Sequence, residues 1–168
     1  RETSGINVLT KDRAANAHLK AAFKARTTTK VYQAIVHGIP QWESLTVDAP
    51  IGSALSSEIR IRRGVNPQGL PAKTDFRVLG RMGGLSLVEA RPHTGRTHQI
   101  RVHLEHAGHP ILGDKIYGQP DQTFLHHLDH GADEEVRAAT GFPRHALHAY
   151  RLTVPHPDGE ERTFEAPL

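Results

Sequence analysis

A chain of 168 residues with 37% hydrophobic and 23% charged composition, a mean hydropathy of −0.49 and no cysteine has the size and polarity of one globular domain. These figures exclude a disordered chain, a disulfide scaffold, thiolate-bound metal and a cysteine nucleophile, and no apolar run approaches the roughly 18 residues of a membrane span. The net charge of +3 is uneven: residues 1–104 carry +9 and residues 105–168 carry −6, a division that points to a polyanionic partner for the N-terminal part.

In chain order, Ile6–Thr10 is a short β-like run. Asp12 can cap a helix reaching about Arg26, with Ala15, Leu19, Ala22 and Phe23 on one face. Lys20 and Lys24 sit four apart on that helix, a repulsion that a nearby anion would relieve. Thr28–His37 is β-branched and aromatic and reads as a strand ended by Gly38 and Pro40. Ser57–Arg62 alternates strictly and predicts a strand with a basic outer face. Lys73–Leu79 and Leu85–Ala90 form a hairpin across residues 81–84. Thr97–Ala107 predicts a helix with an Ile100, Leu104, Ala107 stripe and Gly108 as its stop. Residues 119–143 are polar, acidic and His-rich, a surface excursion with a short helix near Asp133–Ala139. His145–Val154 and Arg162–Phe164 close the chain as strands around a Pro-Asp-Gly turn. With no internal repeat and no linker, residues 1–168 read as one strand-rich, mixed α/β domain.

Several chemistries lack their motifs. There is no G-x-x-x-x-G-K-[ST] loop, no G-x-G-x-x-G after a strand and no G-x-S-x-G elbow. Thirteen histidines invite a metal reading, but no H-E-x-x-H occurs, and of His98, His103 and His106 only the last two share a helix face. They read as surface and capping residues. The densest stretch is Pro92–Gly118. Its Gly95-Arg96-Thr97-His98 entry to a helix suits an anion, and Arg101 one turn later can hold a carboxylate or phosphate. A plain amphipathic helix with solvated arginines has the same pattern.

The segments RETSGINVLTKD, KVYQAIVHG, PAKTDFRVL, HTGRTHQIRVHLEHAGHPILGDKIYG and PRHALHAYRLTVPHP follow one another over nearly the whole chain. Together they resemble the RluA-type family of RNA pseudouridine synthases. The resemblance implies an α+β fold, a mixed, largely antiparallel sheet flanked by helices. It implies isomerisation of uridine to pseudouridine in ribosomal or transfer RNA, without metal or cofactor. The family's first motif reads His-Arg-Leu-Asp, two further residues, then Thr-Ser-Gly. Here Arg1 and Glu2 are those two residues and Thr3-Ser4-Gly5 completes it, so the nucleophilic Asp is expected immediately before Arg1. The chain therefore reads as a catalytic domain cut just after its carboxylate, inactive as it stands.

By the same resemblance Arg101 pairs with that Asp, keeping it ionised and oriented. Tyr32 stacks on the flipped base, and its hydroxyl assists proton removal at C5. From alternation alone Tyr32 is equally a packed strand aromatic beside Ala34 and Val36. Leu147 and Ile100 line the uracil pocket, and Arg96, Lys30, Lys20 and Lys24 are the phosphate contacts. The expected protein is a cytoplasmic monomer. Two readings of other classes stand beside it: a non-catalytic RNA-binding module and a His-based metal hydrolase.

Overall fold

The computed structural model describes residues 2–168, and Arg1 lies outside them. The elements run β1 (Ser4–Gly5), α1 (Arg13–Ala25), β2 (Thr29–His37), β3 (Ser44–Asp48), β4 (Ile51–Ser53) and β5 (Arg63–Val65). They continue with β6 (Lys73–Met82), β7 (Leu85–Pro92), α2 (Gln99–His106), α3 (Asp121–His130), α4 (Glu134–Thr140), β8 (Leu147–Pro155) and β9 (Glu161–Glu165). Seven strands form one sheet in the order β1-β8-β2-β7-β6-β3, with β9 also on β8; β4 and β5 make a separate ribbon. All pairings are antiparallel except β1 with β8, so the sheet is mixed and largely antiparallel, as expected.

Helix α1 starts where Asp12 accepts the N–H of Ala15 at 2.8 Å and ends with Arg26 in the left-handed region. The hairpin β6–β7 turns through Gly83 and Gly84, both at positive φ. Behind it the core forms from Ala34, Val36, Phe76, Val88 and Ala90 of the sheet against Ile100 and Leu104 of α2, with Ile111 and Leu147 beside them. Each Val, Leu, Ile or Phe side chain of this cluster taken fully from water contributes roughly 1.5–3 kcal/mol. The same α2 faces a second cluster with Val102, which meets Ile51, Ile59, Ala72, Ile116 and Tyr117. Helix α2 is therefore clamped from two sides.

Two expected strands are absent. Ile6–Thr10 is irregular beyond the Ile6 N–H to Ala149 carbonyl bond, and Leu9 is 92% exposed. The reason is edge occupancy. β1 takes His148 and Ala149 of β8, and β9 takes the same edge from Arg151 to Pro155, leaving no ladder for the run to join. Ser57–Arg62 forms turns instead of a strand. Asp121 accepts from the Ser57 hydroxyl at 2.6 Å and the Glu58 N–H at 2.8 Å, while Arg62 reaches inward to Asp121 and Glu105. The alternating arginine is thus an interior bridge. Strands β3, β4 and β5 and helix α3 are additions to the expected elements, and α4 is capped by Asp133 through the Val136 N–H.

Candidate functional site

A cavity of about 790 Å³ opens between α1, β2, α2 and β8. Tyr32 enters it from β2, Ile100 and Arg101 from α2, and Leu147 from the start of β8; Lys30 and Arg96 stand along one side. Six residues named from the sequence, spread over 118 positions, therefore share one cleft. Ile100 and Leu147 are each 7% exposed and belong to the core cluster, so the cleft has an apolar floor continuous with the interior.

Tyr32 sits at a defect in the sheet. The β2–β8 register slips between Val31 and Tyr32, which places two residues of β8 against one of β2 beside it. The extra residue is Tyr150 of β8, so β2 keeps its alternation and Tyr32 stays on the face of Ala34 and Val36. Burial pushes the Tyr32 phenol above its ordinary value, so it is protonated at neutral pH and offers an O–H, not a phenolate.

Arg101 is fixed before any ligand arrives. Its Nε and Nη2 donate to the two oxygens of Asp114 at 2.6 and 2.7 Å. Asp114 has a fully buried side chain, and its Oδ1 also accepts the N–H groups of Ile116 and Tyr117. Burial alone would push the Asp114 carboxyl up; Arg101 and these two N–H groups hold it below the usual value. The Tyr117 ring lies 4.7 Å from the Arg101 guanidinium carbon. Arg101 Nη1 has no protein partner among the described residues, and it is the group left for an anion in the cleft.

The loop that enters α2 is set by a buried amide. Gln99 Oε1 accepts from the Thr94 hydroxyl at 2.7 Å and the Arg96 N–H at 3.0 Å, and its Nε2 donates to the Lys73 carbonyl and the Thr74 hydroxyl. This fully used side chain places Arg96, whose Nε donates to the Pro71 carbonyl. Lys30 donates to the Thr94 carbonyl at 3.2 Å; burial, and then the charge of Arg26, pull its amine below the usual value.

The chain's first described residues border the same cleft: Glu2, Thr3 and Ser4 line it. Glu2 receives Lys115 Nζ at 2.8 Å and the His145 N–H at 3.2 Å, Thr3 bonds His145, and Ser4 bonds His148. Gly5 at φ +93° permits this seating, because a Cβ there would lie 2.3 Å from the Ala149 carbonyl oxygen.

The four expected phosphate contacts divide. Lys30 and Arg96 line the main cavity and also a neighbouring one of about 410 Å³, where Lys24 and Arg26 join them. Lys20 lies on the exposed outer face of α1 and borders neither cavity, one turn too far back along the helix. Arg26, Gln99, Asp114 and Tyr117 are additions to the residues named from sequence. Asp114 carries part of a signal, a lone acid between Ile111-Leu112 and Ile116-Tyr117 that does not name its partner; Gln99, between His98 and Ile100-Arg101, carries none. Of the histidines, His103 is wholly buried between the Thr74 hydroxyl and the Ala49 carbonyl. Among the described residues no three His, Asp or Glu side chains gather as a metal site requires, and no helix is long and apolar enough to cross a membrane.

Known proteins resemble this chain in sequence and in fold. The family model described as RNA pseudouridylate synthase matches residues 1–106. An uncharacterized RNA pseudouridine synthase of Chloroflexus aurantiacus is 42% identical over 100% of this chain and 48% of its own length. The ribosomal large subunit pseudouridine synthase C of Vibrio cholerae is 40% identical over 100% of this chain and 49% of its own. The chain thus spans about half the length of the curated relatives it matches. Among solved structures, human RNA pseudouridylate synthase domain containing 1 superposes with a TM-score of 0.72 at 32% identity, covering 94% of this chain and 61% of that one.

Proposed function

Because the chain belongs to the RNA pseudouridylate synthase family, we propose that residues 1–168 act as one catalytic domain that isomerises uridine to pseudouridine in structured RNA. The observation that carries this reading is the meeting of Tyr32 and Arg101 in a cleft with an apolar floor and a basic side. The substrate is ribosomal or transfer RNA, a choice supported by relatives named for the large ribosomal subunit. The protein works as a monomer in the cytoplasm.

The reaction breaks the C1′–N1 bond of the nucleotide, turns the uracil and forms C1′–C5. The hydrogen leaves C5 and a proton is taken up at N1, so atoms and electrons balance within the nucleotide. The floor of Ile100 and Leu147 receives the uracil, the Tyr32 ring stacks on it, and the Tyr32 O–H stands ready to relay the C5 proton. Lys30, Arg96 and the adjoining Lys24 and Arg26 take the phosphates.

Attack on the sugar or base requires a carboxylate. Asp114 is sealed, with both oxygens engaged. Glu2 is held through both oxygens by Lys115 and His145. The nucleophile in this reading is the Asp that the first motif requires immediately before Arg1, with Arg101 Nη1 as its partner. A guanidinium stays protonated and cannot replace it.

The test compares the complete protein with residues 1–168 alone on unmodified large-subunit ribosomal and transfer RNA transcripts, reading pseudouridine. The complete protein converts a uridine; the shorter form binds RNA and converts none. Turnover by residues 1–168 alone would overthrow the upstream Asp. Binding without turnover by both forms would make this a non-catalytic RNA-binding module.

A further inference from the structure

His98 has no part in the chemistry above, yet it lines the same cleft and is held there at a cost. Its backbone lies at φ 59°, ψ 17°, the left-handed region that residues with a Cβ rarely adopt. It occupies the N-cap position of α2 but makes no side-chain cap bond. The strain is therefore not repaid by capping, and strain of this kind gathers at functional sites.

The imidazole is anchored from behind. Nδ1 lies 2.9 Å from the Tyr117 hydroxyl, and the two rings meet edge to face at 5.6 Å. Tyr117 is 1% exposed, and its oxygen accepts the Arg63 N–H at 3.0 Å. A buried hydroxyl hydrogen needs an acceptor, and among the described residues the one within reach is His98 Nδ1. The Tyr117 O–H therefore donates to Nδ1, which fixes the proton of the imidazole on Nε2. That nitrogen has no protein partner among the described residues and is not buried, since the one buried side-chain polar atom without a partner is His127 Nδ1. Nε2–H thus reaches the solvent of the cleft.

Burial, and then the charge of Arg101, push the imidazole down to about 4; Arg63 and His145 act in the same direction and Asp114 opposes them. The ring is neutral at pH 7. A second cation would duplicate Arg101, Lys30 and Arg96, whereas a neutral donor suits a neutral acceptor. We propose that His98 is a further substrate-recognition residue of the cleft, donating its Nε2–H to a carbonyl oxygen of the base that enters beside Arg101. This rests on the reading of the cleft as a nucleotide site.

Two measurements test it. In the complete protein, His98→Ala should lower kcat/KM for pseudouridine formation roughly tenfold, the weight of one lost hydrogen bond. His98→Gln, which keeps an N–H near the same place, should recover most of the loss. Imidazole nitrogen NMR of the wild-type protein at pH 7 should show the Nε2–H form, still neutral after a uridine-containing RNA hairpin is added. Tyr117→Phe should release the tautomer while keeping the ring under Arg101. Unchanged kcat/KM in His98→Ala, or an Nδ1–H form, would overturn the proposal. Protonation of His98 on adding RNA would assign it to a phosphate and overturn the carbonyl. If His98→Ala does not fold, the NMR measurement on the wild type decides. If the wild type forms no pseudouridine, the reading of function fails, while the tautomer and its response to RNA still judge His98.

Discussion

Asp114 and Arg101 should be coupled by far more than a surface ion pair. Asp114→Asn puts a neutral amide where a carboxylate matches two guanidinium donors at 2.6 and 2.7 Å, and it leaves the Arg101 side chain, 11% exposed, without its counter-charge. Breaking a buried pair from one side costs about 3–5 kcal/mol. The Ile116 and Tyr117 N–H groups also lose a charged acceptor, which places the loss toward the upper end, about 4 kcal/mol. In a chain of this size each kcal/mol lowers Tm by about 2–4 °C, so a fall of roughly 10–15 °C is expected. Arg101→Ala should cost a similar amount, because it strands a fully buried anion. The double variant Asp114→Asn/Arg101→Ala removes both charges and should cost about 2–3 kcal/mol less than the sum of the singles. Urea unfolding at pH 7, followed by the fluorescence of the single Trp42, which packs near Phe76 and His109, measures all four corners of the cycle. Costs that add within about 0.5 kcal/mol would refute the argument that this pair acts as one unit.

Stability should fall as the solution is acidified from pH 7 to pH 5. His98, His103 and His145 all have folded-state values lowered chiefly by burial, so the unfolded chain takes up protons first and stability present above about pH 6.5 is lost as pH falls. For His98 the window runs from 6.5 down to about 4, and Tm against pH should flatten in His98→Gln. Tyr32→Phe should bind RNA within about twofold of the wild type and turn over more slowly. Tyr32→Leu should also lose roughly tenfold in affinity, the weight of one stacked base; equal affinities would remove the stacking role. Lys24→Ala and Arg26→Ala should each reduce the slope of log affinity against log salt by about one, and an unchanged slope would remove the adjoining cavity from the phosphate path.

The elements legible in the sequence are those governed by local rules. Asp12 with the apolar face of α1, the β-branched run of β2 and the two-glycine turn of the β6–β7 hairpin are each fixed by neighbours within a few positions. The failures at Ile6–Thr10 and Ser57–Arg62 have nonlocal causes. One lost its partner edge to β9, a competitor more than 150 positions away; the other was folded into turns by Asp121 and Glu105. Strands as short as β4 and β5 carry too few residues for a period to be seen.

The cleft divides along the same line. Tyr32, Arg101, Ile100, Leu147, Lys30 and Arg96 could be named because motif positions mark residue types that meet a ligand. Lys20 was named from its four-residue spacing to Lys24, a fact about one helix face, and the cleft lies beyond that face. Asp114 and His98 were hidden for opposite reasons. Asp114 sits among Ile111, Leu112, Ile116 and Tyr117, where a lone acid demands a buried cation, yet nothing in the spacing says that Arg101 is that cation. His98 stood in a crowd of thirteen histidines whose chemistry spacing cannot separate. What separates it is the backbone at φ 59° and the Tyr117 hydroxyl 19 positions later. Both explanations converge on Tyr117, whose ring lies under Arg101 and whose oxygen orders His98. One buried aromatic thereby sets the charged and the neutral donor of the cleft, an arrangement that exists only once β5, α2 and the loop after Gly113 have packed together.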